Sequence, residues 1–295
     1  MFSNKQYIDF IEKSRLEGLD IVVVSVVKTQ GSTYAKAGNM MLINNKGESI
    51  GVLGSPLLHN KFLEFSKEAF KSKKTIYYEN TPIDKNSGHG VSEYIIQAFF
   101  YKDEYCALGK ALNSSGKSWI RSIDSEEFSF IDKKENKFEN GMFYQYIQLP
   151  YSILAFGSGR HVEPFISMCN LLGWKTTVID MKIDNENVKS ADNLIELKSL
   201  NEIFSLDLSS YNASVILSHS PKKDDIYLEA LLKSSVEYIG IMGNKTNMKK
   251  KVEKFSLQND KRFFAPVGFD IGGNTPETIA LSICSQIEAK KNGKI

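Results

Sequence analysis

The pattern of apolar and polar positions changes character near the middle of the chain. In the second half, short apolar runs alternate with stretches whose apolar residues recur at helical spacing, which predicts a doubly wound parallel sheet. In the first half, an amphipathic helix around residues 7–16 is followed by apolar runs separated by turns, which predicts a smaller α+β domain. We therefore predict an N-terminal domain over residues 1–125, a charged linker over 126–149 and a C-terminal α/β domain over 150–295.

One segment of the second half has the layout of a nucleotide-binding βαβ unit. The apolar run Ile153 to Phe156 suits a strand buried on both faces, and Gly157-Ser158-Gly159 then turns the chain without side chains that would block a phosphate. A helical stretch and a second strand follow, and Asp180 ends that strand 21 residues after the second glycine, near the place of a ribose-binding acid. Val162 replaces the third glycine of the pattern. The segment predicts a Rossmann-like domain with cofactor contacts from Gly157, Ser158, Gly159, Arg160 and Asp180.

Polar residues also follow the later predicted strands. His219 comes after the strand Ser214 to Ser218, and Gly243 comes after the next one. Ligands of such sheets bind at the carboxyl ends of the strands, so both residues join the predicted cofactor site. Asp270 joins them because it precedes a Gly-Gly turn at a helix start. His219 and Asp225 are weak catalytic candidates, and an ordinary polar strand end is the alternative for His219.

The first half offers fewer candidates. Its polar loop carries Ser32 and Lys36, which could hold a phosphate. Further strands are predicted over residues 94–100, Cys106 to Leu112 and 118–123. Lys73 and Lys74 belong to a lysine cluster of the kind that usually forms a solvated helix face.

Composition excludes several classes of protein. The 295 residues carry a net charge of +2 from 37 basic and 35 acidic side chains, which argues against a nucleic-acid binder. No apolar run approaches the roughly 18 residues of a membrane helix, and the N-terminal stretch lacks a signal-peptide core. Cys106, Cys169 and Cys284 are isolated in sequence, which predicts a reduced cytoplasmic protein without a disulfide framework or a cysteine zinc site.

Four segments resemble those of the XdhC/CoxI family, the xanthine dehydrogenase accessory proteins. The resemblance covers nearly the whole chain, and its most specific part is the last segment. The segments are GSTYAKAGNMMLINNKGESIGVLG, FGSGRHVEPFISMCNLLGWKTTVID, SHSPKKDDIYLEALLKSSVEYIGIMGNK and PVGFDIGGNTPETIALSI.

The resemblance implies a function. Family members bind the molybdenum cofactor (molybdopterin), protect it while its terminal sulfur is installed, and pass it to a molybdenum hydroxylase such as xanthine dehydrogenase. For this chain it implies a cofactor held between two domains, a molybdenum hydroxylase as partner, a cysteine desulfurase as a second partner, and a homodimer. A pterin phosphate would suit the glycine turn.

The chain departs from the family pattern where cysteines are expected. The family's Gly-Gly-Cys-Leu-Glu segment corresponds to Ser55-Pro56-Leu57-Leu58-His59, and a second cysteine position falls near Ser87-Gly88-His89-Gly90. Thiolate is the soft ligand that molybdenum and sulfur chemistry use. His59 and His89 are weak metal candidates in its place, although most histidines of ordinary domains are surface or packed residues.

Two other functions remain open at this stage. The glycine turn and Asp180 also permit an NAD(P)-dependent oxidoreductase, and Lys182 beside the acid leaves NAD against NADP unresolved. A non-catalytic nucleotide-binding scaffold is the other alternative, favoured by the missing cysteines. Among all three functions, we favour the accessory protein over an enzyme.

Overall fold

A computed structural model describes residues 1–81 and 90–295. The described chain divides into two compact units, Met1–Leu149 and Pro150–Ile295. Within the described ranges, the helices fall short of the length and apolarity needed to cross a membrane.

The N-terminal unit begins with helix α1 (Lys5–Leu16) and a five-stranded antiparallel sheet in the order β3-β2-β1-β5-β4. The strands are β1 (Ile21–Gln30), β2 (Met40–Asn44), β3 (Ser49–Ile50), β4 (Ile76–Asn80) and β5 (Val91–Phe99), and α2 (Pro56–Ser72) joins β3 to β4. Strand β1 is buried on both faces, because Val22 and Val24 pack against α2 while Val23 packs into the opposite cluster. This confirms the α+β character predicted for the unit.

A second antiparallel sheet completes the N-terminal unit and corrects the predicted linker. Its order is β7-β6-β9-β8, with β6 (Ser118–Ser122), β7 (Phe128–Ile131), β8 (Lys137–Glu139) and β9 (Met142–Tyr146). The linker prediction over 126–149 is wrong, because β7 and β9 of this segment pair with β6 and β8 pairs with β9. Their charged side chains lie between apolar ones that alternate along the strands, as Phe128 and Phe130 do, and this alternation is typical of a half-buried sheet.

Helix α3 (Cys106–Leu112) also differs from the prediction, which made this segment a strand. Ala107, Leu108 and Ala111 are buried, which is the spacing of one helix face. Gly109 permits the tight turn before the helix, since a Cβ there would lie 2.3 Å from the Glu104 carbonyl oxygen.

The C-terminal unit is a parallel sheet of six strands in the order β12-β11-β10-β13-β14-β15. Its strands are β10 (Ser152–Phe156), β11 (Lys175–Asp180), β12 (Asn193–Glu196), β13 (Ala213–Ile216), β14 (Tyr238–Ile241) and β15 (Phe263–Phe264). The chain moves one way from β10 to β11 and β12 and then returns to the other side with β13. The topological switch point therefore lies between β10 and β13, where open α/β sheets bind ligands.

Helices cover both faces of this sheet, as predicted. They are α4 (Glu163–Leu171), α5 (Pro221–Leu232), α6 (Lys245–Phe255) and α7 (Pro276–Lys291). Helices α4 and α7 pack on one face around Phe165 and Ile283, while α5 and α6 pack on the other around Leu228 and Met248. Each fully buried side chain of this size contributes roughly 1.5–3 kcal/mol to the free energy of folding. The core thus fixes the strand ends that carry the candidate site.

Candidate functional site

The glycine turn after β10 lies against the chain that leaves β13. Gly157 has φ +109°, and a Cβ there would lie 3.0 Å from the Ser218 backbone nitrogen. A Cβ on Gly159 would lie 2.7 Å from Cε1 of His161. Glycine is thus required at Gly157 both by conformation and by close approach. Val162 is wholly buried at the start of α4, so the helix packs on the sheet without the third glycine.

Asp180 is held in place by polar groups of its own unit. Its Oδ2 accepts a hydrogen bond of 3.1 Å from the Ser158 backbone N–H and lies 3.1 Å from the Ser158 hydroxyl. Its Oδ1 accepts from the Met181 backbone N–H at 2.7 Å and from Lys223 Nζ at 2.7 Å. A carboxylate offers about four lone-pair sites, and the two backbone N–H groups and Lys223 occupy three of them, while the single proton of the Ser158 hydroxyl is shared with the Lys182 carbonyl oxygen at 2.9 Å. A ribose hydroxyl would have to compete with these groups.

Lys223 is the functional residue that sequence reasoning missed. It stands at the start of α5, after β13, and reaches Asp180 at the end of β11. Because β10 lies between these two strands, the bridge runs past the glycine turn. The pair thus brings a cation to the side of the turn where a dinucleotide phosphate would pass.

Two histidines meet at the switch point. The rings of His161 and His219 lie 4.4 Å apart between centroids, at an angle of 48°. Nε2 of His161 lies 2.8 Å from the Leu217 carbonyl oxygen, so this nitrogen carries the proton and donates it. Both rings line a cavity of about 130 Å³ whose other walls include Phe165 and Ile279. The cavity is mainly apolar, and its polar lining groups are the two imidazole rings.

The loop that carries His219 is fixed by a buried hydrogen bond. The Ser218 hydroxyl donates to Asp224 Oδ1 at 2.5 Å. Burial raises the pKa of Asp224 above its ordinary value of 3.8, against the opposing effects of Ser218 and the charge of Lys251. Asp224 therefore acts on the site through the loop.

Asp225, the weak catalytic candidate, has a structural position. It forms ion pairs with Lys251 and, at 2.7 Å, with Lys254, which join α5 to α6. Burial alone would raise the pKa of Asp225, but the hydrogen bonds and charges of both lysines hold it below its ordinary value. Its carboxylate is thus engaged on the helix pair.

Three other predicted residues lie on exposed backbone of the same unit. Arg160 is exposed beside the glycine turn, and Gly243 is exposed between β14 and the Asn244 cap of α6. Asp270 is exposed in the segment between β15 and α7. Thr275 caps α7 with a reciprocal hydrogen-bond pair to Thr278, which accounts for this residue by capping alone.

The predicted residues of the first half lie in the N-terminal unit. Ser32 and Lys36 are exposed in the loop between β1 and β2. His59 lies on α2 with its Nε2 3.5 Å from the Ser49 hydroxyl. His89 falls outside the described residues. Across residues 1–81 and 90–295, no three His, Cys, Asp or Glu side chains are grouped so that they could hold a metal ion.

The fold of the C-terminal unit defines its class of domain. Six parallel strands in Rossmann order, with a glycine turn and an acid at adjacent strand ends, make the C-terminal unit a Rossmann domain. The chain belongs to the XdhC and CoxI family: the model of that family matches residues 14–79, and the model of its Rossmann domain matches residues 153–287. The two matches fall one in each unit.

Several known proteins are similar to the chain at low sequence identity. The chain is 22% identical over 311 residues to a Bacillus subtilis (strain 168) protein named as a probable subunit of xanthine dehydrogenase, covering 91% of this chain and 92% of that one. It is 20% identical to the Escherichia coli (strain K12) protein YqeB, covering 96% of this chain and 46% of that one. A crystal structure described as a xanthine dehydrogenase from Bacillus halodurans superposes with a TM-score of 0.79 at 20% identity, covering 100% of this chain and 97% of that one.

Proposed function

We propose that this protein is an accessory factor for the maturation of a molybdenum hydroxylase of the xanthine dehydrogenase type. In this role it binds the molybdenum cofactor at the carboxyl edge of the C-terminal sheet and passes it on. Support comes from the family membership of both units and from the name of the Bacillus subtilis relative. The homodimer, the cysteine desulfurase contact and the cytoplasmic location stay predictions.

The observation that carries the proposal is the pairing of two different subsites at the switch point. The ammonium group of Lys223, close to the glycine turn, supplies the positive charge that suits a phosphate, whereas the amide N–H groups of Gly157 and Ser158 are bonded to the Ile179 carbonyl oxygen and to Asp180. The neighbouring cavity between His161, His219 and Phe165 suits a flat heterocycle. Molybdopterin combines these two chemical parts in one molecule.

The residues present fit the organic part of the cofactor. The imidazole rings of His161 and His219 would stack on a pterin, the apolar walls would pack against it, and Lys223 would attract its phosphate, so these contacts would orient the cofactor. When bound, the cofactor supplies the molybdenum centre that the client hydroxylase uses. The protein's own groups bind and shield it.

A nucleotide-binding scaffold is the second candidate. The segment that replaces the family's cysteine motif is used structurally: Ser55 caps α2 and Leu58 packs into the core. Leu57, at the cysteine position itself, is 76% exposed. The oxidoreductase alternative is disfavoured, because Asp180 is already engaged by Lys223 and by the backbone N–H groups of Ser158 and Met181, which leaves little of its acceptor capacity for a ribose hydroxyl.

The test is purification of the wild-type chain, without oxygen, from a host that makes the cofactor. Bound molybdenum and pterin are measured, and the same preparation is titrated with NADH and NADPH. A relative that retains the family cysteines serves as the positive control. We expect pterin in the wild-type chain and weak nucleotide binding.

The outcomes separate the candidates. If the relative retains pterin and this chain does not, the accessory role in cofactor binding is refuted. Tight nucleotide binding without turnover would support the scaffold. Hydride transfer from NADPH to an acceptor would restore the oxidoreductase.

A further inference from the structure

The N-terminal unit contains a separate cavity of about 270 Å³. It opens between the end of β5, the start of α3 and the turn after β6. The lining residues used below are Lys73, Lys74, Phe99, Cys106, Arg121 and Phe128.

Arg121 is the unusual member of this lining, because its charge is buried and, within the described ranges, no ion pair with an acid neutralises it. Its side chain is 2% exposed. Its two terminal nitrogens donate to oxygens of Gln97, Ser25 and Gln145 at 2.7 to 3.0 Å, and all three acceptors are uncharged. Among residues 1–81 and 90–295, Nε has no hydrogen-bond partner, and the guanidinium stacks on the Trp119 ring with Cζ 4.0 Å from the ring centroid. Burial lowers the pKa of Arg121, as expected for a cation without a counter-ion.

The charges at the mouth of the cavity differ from the charge inside. Lys73 and Lys74 line the mouth, and so do Asp103, Glu126 and Glu127, all of which are exposed. Water and salt screen exposed charges, whereas a buried guanidinium is screened much less. The interior of the cavity is therefore positive although the formal charges of the lining cancel.

A purely structural role accounts for only part of these observations. Arg121 joins the two sheets of the unit, since Ser25 and Gln97 belong to the first sheet and Gln145 to the second. That role explains the three hydrogen bonds. It explains neither the unpaired Nε nor the cavity with aromatic walls beside it.

We propose that this cavity binds a small aromatic anion, a carboxylate or a phosphate ester, whose charged group compensates Arg121. The Nε–H of Arg121 is the donor left for the anion, since the terminal nitrogens already bind Gln97, Ser25 and Gln145, and Lys74 at the mouth adds attraction. Phe99 and Phe128 provide apolar contact for the ring. The site is independent of the cofactor edge of the C-terminal unit.

Cys106 makes the test direct. It is exposed and lines the cavity, whereas Cys169 and Cys284 are buried in the C-terminal unit. The rate of Cys106 alkylation by iodoacetamide is measured in the full chain with benzoate, with phenyl phosphate and with neutral benzyl alcohol. A ligand with Kd of about 1 mM, present at about 10 mM, would slow alkylation about tenfold. We expect benzoate or phenyl phosphate to do so and benzyl alcohol not to.

Variants test whether Arg121 is responsible. Arg121→Met should remove the protection given by the anions. If that variant does not fold, Lys74→Met tests the proposal instead. We expect the anions to protect Cys106 two- to fivefold less in Lys74→Met, which corresponds to roughly 0.5–1 kcal/mol for the loss of one nearby surface charge. Lys71→Met is the control, because Lys71 is exposed on α2 but does not line the cavity. Equal rates with all three compounds, or full protection in Arg121→Met, would overturn the proposal.

Discussion

Replacement of Lys223 by methionine is the sharpest perturbation of the cofactor edge. It keeps the aliphatic stem and removes the ammonium group that bridges to Asp180. Asp180 would keep its contacts to Ser158 and Met181 but would regain one free acceptor on Oδ1.

The size of the effect follows from the exposure of the pair. The Lys223 side chain is 31% exposed and that of Asp180 is 11% exposed, so the bridge lies between a surface pair and a buried one. A hydrogen bond to a charged group contributes about 1.5–3 kcal/mol when buried, and an exposed pair contributes about 0–1 kcal/mol. We expect Lys223→Met to lower the free energy of unfolding by about 1–2 kcal/mol.

Urea unfolding and NADH titration measure the two consequences. Lys233→Met is the matched control, because Lys233 pairs with Glu229 on the same helix but the two side chains are 64% and 50% exposed. Its loss should change stability by less than about 0.5 kcal/mol. Because a free acceptor on Asp180 can take a ribose hydroxyl, the ratio of NADH affinity to pyrophosphate affinity should be about tenfold higher in Lys223→Met than in wild type, which corresponds to about 1.4 kcal/mol. The variant should bind inorganic pyrophosphate more weakly.

Two results would refute this reasoning. One is that Lys223→Met and Lys233→Met unfold at the same urea concentration. The other is that NADH affinity stays unchanged while pyrophosphate affinity also stays unchanged. In either case the bridge does not control access to Asp180.

Three further predictions concern other parts of the chain. Gly157→Ala should destabilise the protein by more than about 2 kcal/mol and abolish pterin retention. Gly47→Ala is the control, because Gly47 has φ +84° and no described atom lies within 4 Å of the added Cβ; it should lose about 1 kcal/mol of stability and retain the pterin. Equal effects of the two substitutions would contradict the close approach of Gly157 to Ser218. Asp225→Asn should lower the free energy of unfolding by about 1–2 kcal/mol in a urea titration, because it weakens the ion pairs to Lys251 and Lys254, and should leave pterin retention unchanged. A loss of pterin retention at unchanged stability would instead make Asp225 a binding residue. The folded-state pKa of Asp224 lies above its unfolded value of 3.8, so its contribution to stability is present below pH 3.8 and lost as pH rises through the folded pKa. We therefore expect Asp224→Asn to unfold at a higher urea concentration than wild type at pH 7. This difference should disappear as the pH is lowered toward 3.8.

The C-terminal sheet was predictable because its signals are local. The run Ile153 to Phe156 carries its own evidence of burial on both faces, and the glycines and Asp180 mark the strand ends. Strand-end residues then converge because parallel strands share an edge.

The errors arose where local signals compete. In residues 106–112 the short apolar run suggested a strand, but the spacing of its alanines and leucines fits a helix face and their propensity favours a helix. In residues 126–149 charged side chains concealed strand alternation, because edge strands carry charges on their solvent side.

The central contacts of the candidate site were beyond sequence reasoning. His161 and His219 are 58 positions apart, and neither carries a local signal that specifies a ring contact. Lys223 looked like one of many surface lysines until strand order placed it across the turn from Asp180. The buried charge of Arg121 was hidden for the same reason, since its partners come from three different strands.

Hydrogen exchange of the backbone amides tests the central claim most directly. The wild-type protein purified with bound pterin is compared with the same protein after the pterin is removed. The account predicts slower exchange in the bound form over residues 157–161 and 217–223, the two sides of the switch point, with the sheet core unchanged. Protection confined to the N-terminal unit, or no difference at either segment, would contradict it.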